Sequence, residues 1–599
     1  MKKTQKYAVN QYMIESLLAN VREGEIAIPE IQRPFVWDAS QVRDLMDSLY
    51  QGFPVGYLIA WRNPDVKLKD GSTAAGRMIL IDGQQRVTAL TAAMLGQAVI
   101  NKDYRKVRIS IAFHPIEERF EVSNAAIARN TAWIVDIAPM VCGEIKLTKA
   151  VRSYLKANPQ ADEDKVEEAL ANLTDIAKKQ IGLIELSHDL DIETVTEIFI
   201  RINSKGAVLS QADFAMSKIA ADTRYGGQML RKCIDYFCHL AVAPDFYDHI
   251  KNNDAEFSAS SYLQKMAWLR HENDDLYDPN YNDLLRVAFT SQFGRGKLAD
   301  LVSLLSGRNF ETKNYEETIA EASFAKLNEG VLNFINESHF KRFVMIIKSA
   351  GFITREMIRT RGALNFAYIV YLRLRAQGIH DGKIESFVRR WFVMSILTNR
   401  YTGSSETQFD QDIRRIAAGD FGDILAKVEQ ADLSPAFWDV GLVQQLETSG
   451  TSSPYFWVFI AAQVRANDTG LLSKDITVRE LVSHMGDIHH IFPRDLLKKA
   501  GLGPSQYNQI ANFAYTQQEI NIKIGNKPPR DYFAEILQQC RGGALKYGAI
   551  DDEATLKANL ATNCVPESIM DMDVAQYEEF LKQRRQSMAA KIRAYYERL

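Results

Sequence analysis

The stretch Asp487-Ile488-His489-His490-Ile491-Phe492-Pro493-Arg494-Asp495-Leu496 constrains this chain more than any other. Adjacent residues of a strand point to opposite faces, so His489 and His490 take different roles. One can ligate a divalent cation while its neighbour takes a proton from water. Asn512 follows His490 by twenty-two residues, and Asn521 follows Asn512 by nine. Those intervals fit a hairpin loop and then two to three turns of helix. Asn521 then closes the metal site from that helix, and Asn512 pins the loop carrying the base. Two ordinary hairpin histidines are the competing explanation for a bare pair. Four positions in register, with Pro493 beside them, favour the metal site. His484 has no such support and reads as structural.

This segment resembles the HNH (ββα-metal) endonucleases. The resemblance puts His489 at a metal-ligand position and His490 at the general-base position. It puts Asn512 at the central asparagine, counted with the catalytic residues, and Asn521 at the second ligand position. Mg²⁺ or Mn²⁺ is the implied cofactor. Many members carry aspartate where this chain has His489. Asp487, two residues earlier on the same strand face, is placed to assist the metal or to orient His489.

A second constellation lies near the front, in Met78 to Ala93. A short apolar run predicts a strand, Asp82-Gly83 a tight turn, and Gln84 onward a helix with Val87, Leu90 and Thr91 along one side. A helix led by glycine turns backbone N–H groups toward the space before it, where an anion fits, and Arg86 adds a fork for phosphate. Gln84 and Gln85 are uncharged donors suited to phosphate or ribose oxygens. The competing reading is a tight turn in which Arg86 pairs with Asp82, and the local pattern leaves both open. Gln32 and Arg33 lie between Pro29 and Pro34 ahead of an aromatic segment, and Arg201 and Asn203 stand two apart in Phe199-Ile200-Arg201-Ile202-Asn203. Ser210 is spaced from Asp213 as a helix cap.

Together Asp82-Gly83-Gln84-Gln85-Arg86, Ile31-Gln32-Arg33-Pro34 and Phe199-x-Arg201-x-Asn203 resemble the N-terminal domain of the GmrSD family of modification-dependent (type IV) restriction endonucleases. The order of the two motifs resembles the single-chain, BrxU-like layout of that family. The resemblance implies a ParB/sulfiredoxin-like α/β front domain and a nucleoside triphosphate held by Asp82, Gly83, Gln84, Gln85, Arg86, Gln32, Arg33, Arg201 and Asn203.

At 599 residues the chain is long for one domain. The fold expected is α+β and multidomain: a nucleotide-binding sensor over 1–216, a helical middle over 217–446, and an HNH nuclease domain with its C-terminal helix over 447–599. In the middle, Phe340, Phe343 and Ile347, then Ile369, Leu372 and Leu374, recur at helical steps. Tyr401 to Glu406 reads as a loop before a capped helix. The net charge of −3 gives no global basic field, so DNA contact must come from local patches. Lys582, Arg584, Arg585, Lys591, Arg593 and Arg598 read first as the solvated face of an amphipathic helix, and alternatively as a surface tracking phosphates with Lys498, Lys499, Lys523 and Lys527.

Five scattered cysteines, Cys142, Cys233, Cys238, Cys540 and Cys564, fit a reducing cytoplasm better than a disulfide scaffold. Cys233, Cys238 and His239 do not converge on one helical face and are not read as a metal site. No apolar run approaches membrane length, and the basic start is soon interrupted by polar residues, unlike a signal peptide. These features imply a cytoplasmic, nucleotide-responsive, metal-dependent endonuclease that cleaves modified phage DNA, for instance DNA with glucosylated hydroxymethylcytosine. Double-stranded DNA is the expected partner, and a homodimer would supply the second cut of a double-strand break. Open alternatives are a phosphorothioate-sensing nickase and a nucleotide-gated DNA-binding regulator without cleavage. Open too is whether the nucleotide is hydrolysed.

Overall fold

A computed structural model of the chain describes residues 5–599 apart from 24, 28–36, 63–77, 101–105, 188–189, 191–197, 199–210, 223, 272–273, 404 and 485. It is mixed α/β, mostly helical with small sheets. Two compact units divide it: Met1–Glu272 with Asn280–Asn282 and Val302–Phe324, and Asn273–Pro279 with Asp283–Leu301 and Ala325–Leu599. No helix among the described residues is long and apolar enough to cross a membrane.

The first unit holds a five-stranded sheet in the order Tyr7–Met13, Gln180–Leu186, Tyr57–Arg62, Met78–Asp82, Ile26–Ala27. Tyr7–Met13 pairs antiparallel with Gln180–Leu186, which runs parallel to Tyr57–Arg62. Tyr57–Arg62 pairs antiparallel with Met78–Asp82, with a register shift between Ile59 and Ala60. Alternate residues Leu58, Ala60, Met78, Leu80, Ile181 and Leu183 turn to one face and enter the main core. Leu17, Val42, Met46, Val87, Leu90 and Leu170 reach that core from the helices Ile14–Arg22, Ala39–Tyr50, Gln84–Met94 and Glu163–Asp175. Asp38 starts one of these helices with a reciprocal cap, accepting from the Gln41 N–H while the Gln41 side chain accepts from the Asp38 N–H.

In the second unit the expected helical steps are present. Phe340, Phe343 and Ile347 are buried along Glu337–Ser349, and Ile369, Leu372 and Leu374 along Arg361–Ala376. Beyond them a two-stranded antiparallel hairpin joins Asp487–His490 to Phe513–Thr516. The helix Gln518–Ile524 follows, with Ile520 and Ile524 buried. The long helix Tyr577–Tyr596 buries Tyr577, Phe580, Leu581, Met588 and Ile592 along one stripe.

Candidate active site

Strand pairing decides which side chains meet at the hairpin. His489 lies opposite Ala514 and Asp487 opposite Thr516, so both histidine and carboxylate stand on one face. His490, opposite Phe513, stands on the other. Asn521 sits one turn into Gln518–Ile524, and its Oδ1 lies 2.7 Å from His489 Nδ1. Its Nδ2 donates to Asp487 Oδ2 at 3.3 Å. The structure therefore brings His489, Asn521 and Asp487 together, each from the position its spacing gave it.

His489 is 2% exposed, and burial above all pushes its pKa down to about 4, against the opposing pull of Asn521. Its imidazole is neutral at pH 7. Nε2 is buried and has no hydrogen-bond partner among the described residues, so the ring's polar partner is on the Nδ1 side. With its hydrogen on Nε2 instead of on Nδ1 facing Asn521, the ring would offer an Nδ1 lone pair beside an amide oxygen and a nearby carboxylate, a donor set that suits a divalent cation. Among the described residues no cluster of three or more His, Cys, Asp or Glu side chains could hold a metal. Here the hairpin offers one histidine and one carboxylate, and its third donor is an amide.

On the other face, His490 Nε2 lies 3.0 Å from Asn508 Oδ1. The Phe513 ring meets the imidazole edge-on, with centroids 4.9 Å apart and planes at 89°. Burial lowers the His490 pKa, and the Arg494 charge adds to this while the Asn508 contact opposes it. Asn508 lies outside the motif, and no periodic signal marked it.

Asn512 is fully buried and its side chain hydrogen-bonds to backbone. Its Oδ1 accepts from the Phe492 N–H at 2.9 Å, and its Nδ2 donates to the carbonyls of Phe492 at 3.1 Å and Tyr507 at 3.2 Å. These bonds pin the loop that leaves His490. Tyr532 adds a bond from its hydroxyl to the Ile491 carbonyl at 3.0 Å.

Helix Tyr577–Tyr596 corrects one expectation. Arg584 has no exposure; it donates to the carbonyls of Ala511 at 2.8 Å, Phe513 at 2.7 Å and Asn563 at 3.2 Å. Arg585 is also buried, bonding Gln509 at 3.0 Å and Glu447 at 3.2 Å. Both lie on the helix's apolar stripe and grip the hairpin, instead of forming a solvated face. Lys498, Lys499 and Lys523 are exposed. Lys527 pairs with Glu535 at 2.6 Å, and His484 is exposed.

In the first unit, the strand Met78–Asp82 runs through Gly83 into the helix Gln84–Met94 as the pattern predicts. Gly83 adopts φ +94°, and a Cβ there would stand 2.2 Å from Leu58 Cδ2, so glycine is required. Arg86 realises the pairing reading: it meets Asp82 Oδ2 at 3.1 Å and donates to the carbonyls of Val55 at 3.1 Å and Tyr57 at 2.9 Å. Gln84 is buried and Gln85 partly exposed. Gln32, Arg33, Arg201 and Asn203 lie outside the described residues, as does Ser210.

Comparison with known proteins bears on this front region. Residues 14–220 match the model of the GmrSD restriction endonuclease N-terminal domain. The front of the chain is GmrSD-like. That similarity suggests a restriction endonuclease family, and with it DNA as a partner. An uncharacterized protein of Methanocaldococcus jannaschii is 21% identical, the similarity covering 90% of this chain and 89% of that protein. The likeness to that relative extends well beyond residue 220.

Proposed function

We propose that the chain is a metal-dependent DNA endonuclease of the HNH type, with the hairpin as its catalytic centre and the GmrSD-like front as a nucleotide-responsive sensor. The observation that carries this reading is the meeting of His489 Nδ1 with Asn521 Oδ1, the Asp487 carboxylate bonded to the same amide through Nδ2, beside a second, separately held histidine. His489 and Asn521 would hold Mg²⁺ or Mn²⁺, with Asp487 next to them. Bound there, the ion supplies charge stabilisation for the scissile phosphate and the leaving 3′ oxygen. His490 takes a proton from the attacking water as oxygen bonds to phosphorus and the bond from phosphorus to the 3′ oxygen breaks. Asn512 keeps the base loop fixed through this step.

A GmrSD-like front supports modified phage DNA as substrate and cytoplasmic defence as the role. Glucosylated hydroxymethylcytosine is the mark we favour. For the nucleotide, support comes from the glycine-led helix: Gly83 has no side chain to cap its N-terminus, leaving that end to an anion. Arg86 keeps guanidinium N–H groups beyond its three bonds, so a phosphate there would add to the clasp. A homodimer would bring two hairpins to the two strands.

The deciding assay incubates plasmid, modified phage DNA and its unmodified counterpart with Mg²⁺ or Mn²⁺, with EDTA, and with or without each nucleoside triphosphate. Cleavage should require metal and fall by ~10²–10⁴-fold in His490→Ala. Cutting that survives excess chelator would remove the metal mechanism, and undiminished cutting by His490→Ala would remove the hairpin as the centre. Calorimetry should show triphosphate binding that weakens in Arg86→Ala; no heat with the wild type, with or without DNA, would leave the front turn structural.

A further inference from the structure

We propose that Asn508 fixes the tautomer of His490 and so decides which ring nitrogen is free to accept a proton. Its consequence for catalysis rests on the nuclease reading above; its geometry stands without it. An amide oxygen only accepts hydrogen bonds, so His490 Nε2, 3.0 Å from Asn508 Oδ1, carries the hydrogen and the lone pair stays on Nδ1. Phe513, edge-on to the ring, restricts its swing from one side.

Asn508 is itself held firmly. Its N–H donates to the Pro504 carbonyl at 3.1 Å, and its carbonyl accepts from the Gly450 N–H at 2.9 Å. The preceding carbonyl, of Tyr507, takes a bond from Asn512 Nδ2. On the other side, the Gln509 side chain is bonded by Arg585. The backbone that carries Asn508 is therefore anchored before and after it. This arrangement also gives Asn512 a second effect, since the residue it pins is the neighbour of the one that orients the base.

The chemical consequence is directional. In the water attack, a water O–H proton passes to His490 Nδ1, the water oxygen bonds to phosphorus, and the bond to the 3′ oxygen breaks, that oxygen leaving with the electron pair and taking a proton from solvent water. The imidazolium so formed keeps its Nε2–H on Asn508 Oδ1, and the positive charge strengthens that bond. With the hydrogen on Nδ1 instead, the lone pair would face Asn508 and the ring could take no proton from water on the other side. Asn508 is a positioning residue, acting on substrate only through His490.

Protein carrying ¹⁵N in its histidine rings, with His490 signals assigned against His490→Ala, reports which nitrogen is protonated at neutral pH. The wild type and Asn508→Asp should hold the proton on Nε2, while Asn508→Leu should show both tautomers. In single-turnover cleavage with Mn²⁺, Asn508→Leu should be slower by ~10–10³-fold with DNA and metal affinity unchanged. Asn508→Asp should recover most of that rate. A wild-type proton on Nδ1 overturns the assignment, as does wild-type cleavage by Asn508→Leu; the wild-type spectrum alone decides if a variant fails to fold. The Nε2–H tautomer in a protein that cuts none of the DNAs upholds the Asn508 contact and overturns the nuclease reading instead.

Discussion

Asn512→Asp exchanges one amide nitrogen for oxygen in a side chain with no exposure, and its cost can be worked from three bonds. The acceptor toward the Phe492 N–H survives. The two donors, toward the carbonyls of Phe492 and Tyr507, are replaced by an oxygen that faces both. Ionised, the new carboxylate is desolvated and repelled; protonated, it recovers at most one donor. Full burial raises a carboxyl by up to ~3–5 pKa units, and Arg584, bonded to the carbonyls on either side of residue 512, offsets part of that. A remaining shift of ~2–3 units corresponds to ~3–4 kcal/mol, beside ~1 kcal/mol for the lost hydrogen bond at any pH. The sign follows from linkage. The folded-state pKa stands above the unfolded value of ~3.9, so the ionisation cost is absent below pH ~4 and grows by ~1.4 kcal/mol per unit as pH rises, levelling off above the folded pKa. Urea midpoints of the two proteins, measured from pH 4.5 to 7.5, should diverge up to pH ~6–7 and then hold a constant gap, and hydrogen exchange at the Phe492 amide should accelerate in the same order. A gap that is constant across that whole range, or that narrows with rising pH, would refute the reasoning.

Two further outcomes test the same kind of argument. Arg584→Met removes a buried cation but strands three carbonyls, and should weaken the second unit by ~2–4 kcal/mol in guanidinium unfolding with faster exchange around Ala511 and Phe513; wild-type stability would show the grip to be idle. His239 stacks on Phe246 at 3.9 Å, and burial, with the His249 charge second, pushes its pKa down to about 4. Because that lies below the unfolded value of ~6.5, stability should be intact above pH 6.5 and fall by up to ~2–3 kcal/mol as pH drops toward 4, and His239→Gln should flatten the profile.

Much of the candidate site was legible because its geometry is local. Strand alternation places Asp487 and His489 on one face whatever else the chain does, and the step from Asn512 to Asn521 crosses one short strand into one helix. Arg584 lies where periodicity alone would put a buried residue: Tyr577, Phe580, Arg584, Met588 and Ile592 follow one helical stripe. Its charge points instead to a solvated face, and only the carbonyls waiting at Ala511 and Phe513 explain why an arginine fits in the stripe. Asn508 could not be found from spacing, since a loop side chain meets His490 across eighteen residues without any repeat. The clasp of Arg86 on Val55 and Tyr57 is equally silent, because backbone carbonyls leave no mark in a sequence.

The Arg584 grip orders events during synthesis. A nascent chain that has emerged only through Gln576 already contains both strands of the hairpin, both histidines and all the asparagines. It still lacks the donor for the carbonyls of Ala511 and Phe513, the Tyr577 hydroxyl that bonds the Gln506 carbonyl at 2.9 Å, and the Phe580 ring that packs 5.0 Å from Phe492. The residues of the hairpin thus leave the ribosome before the helix that sets them, and the hairpin takes its final form only once that helix has followed.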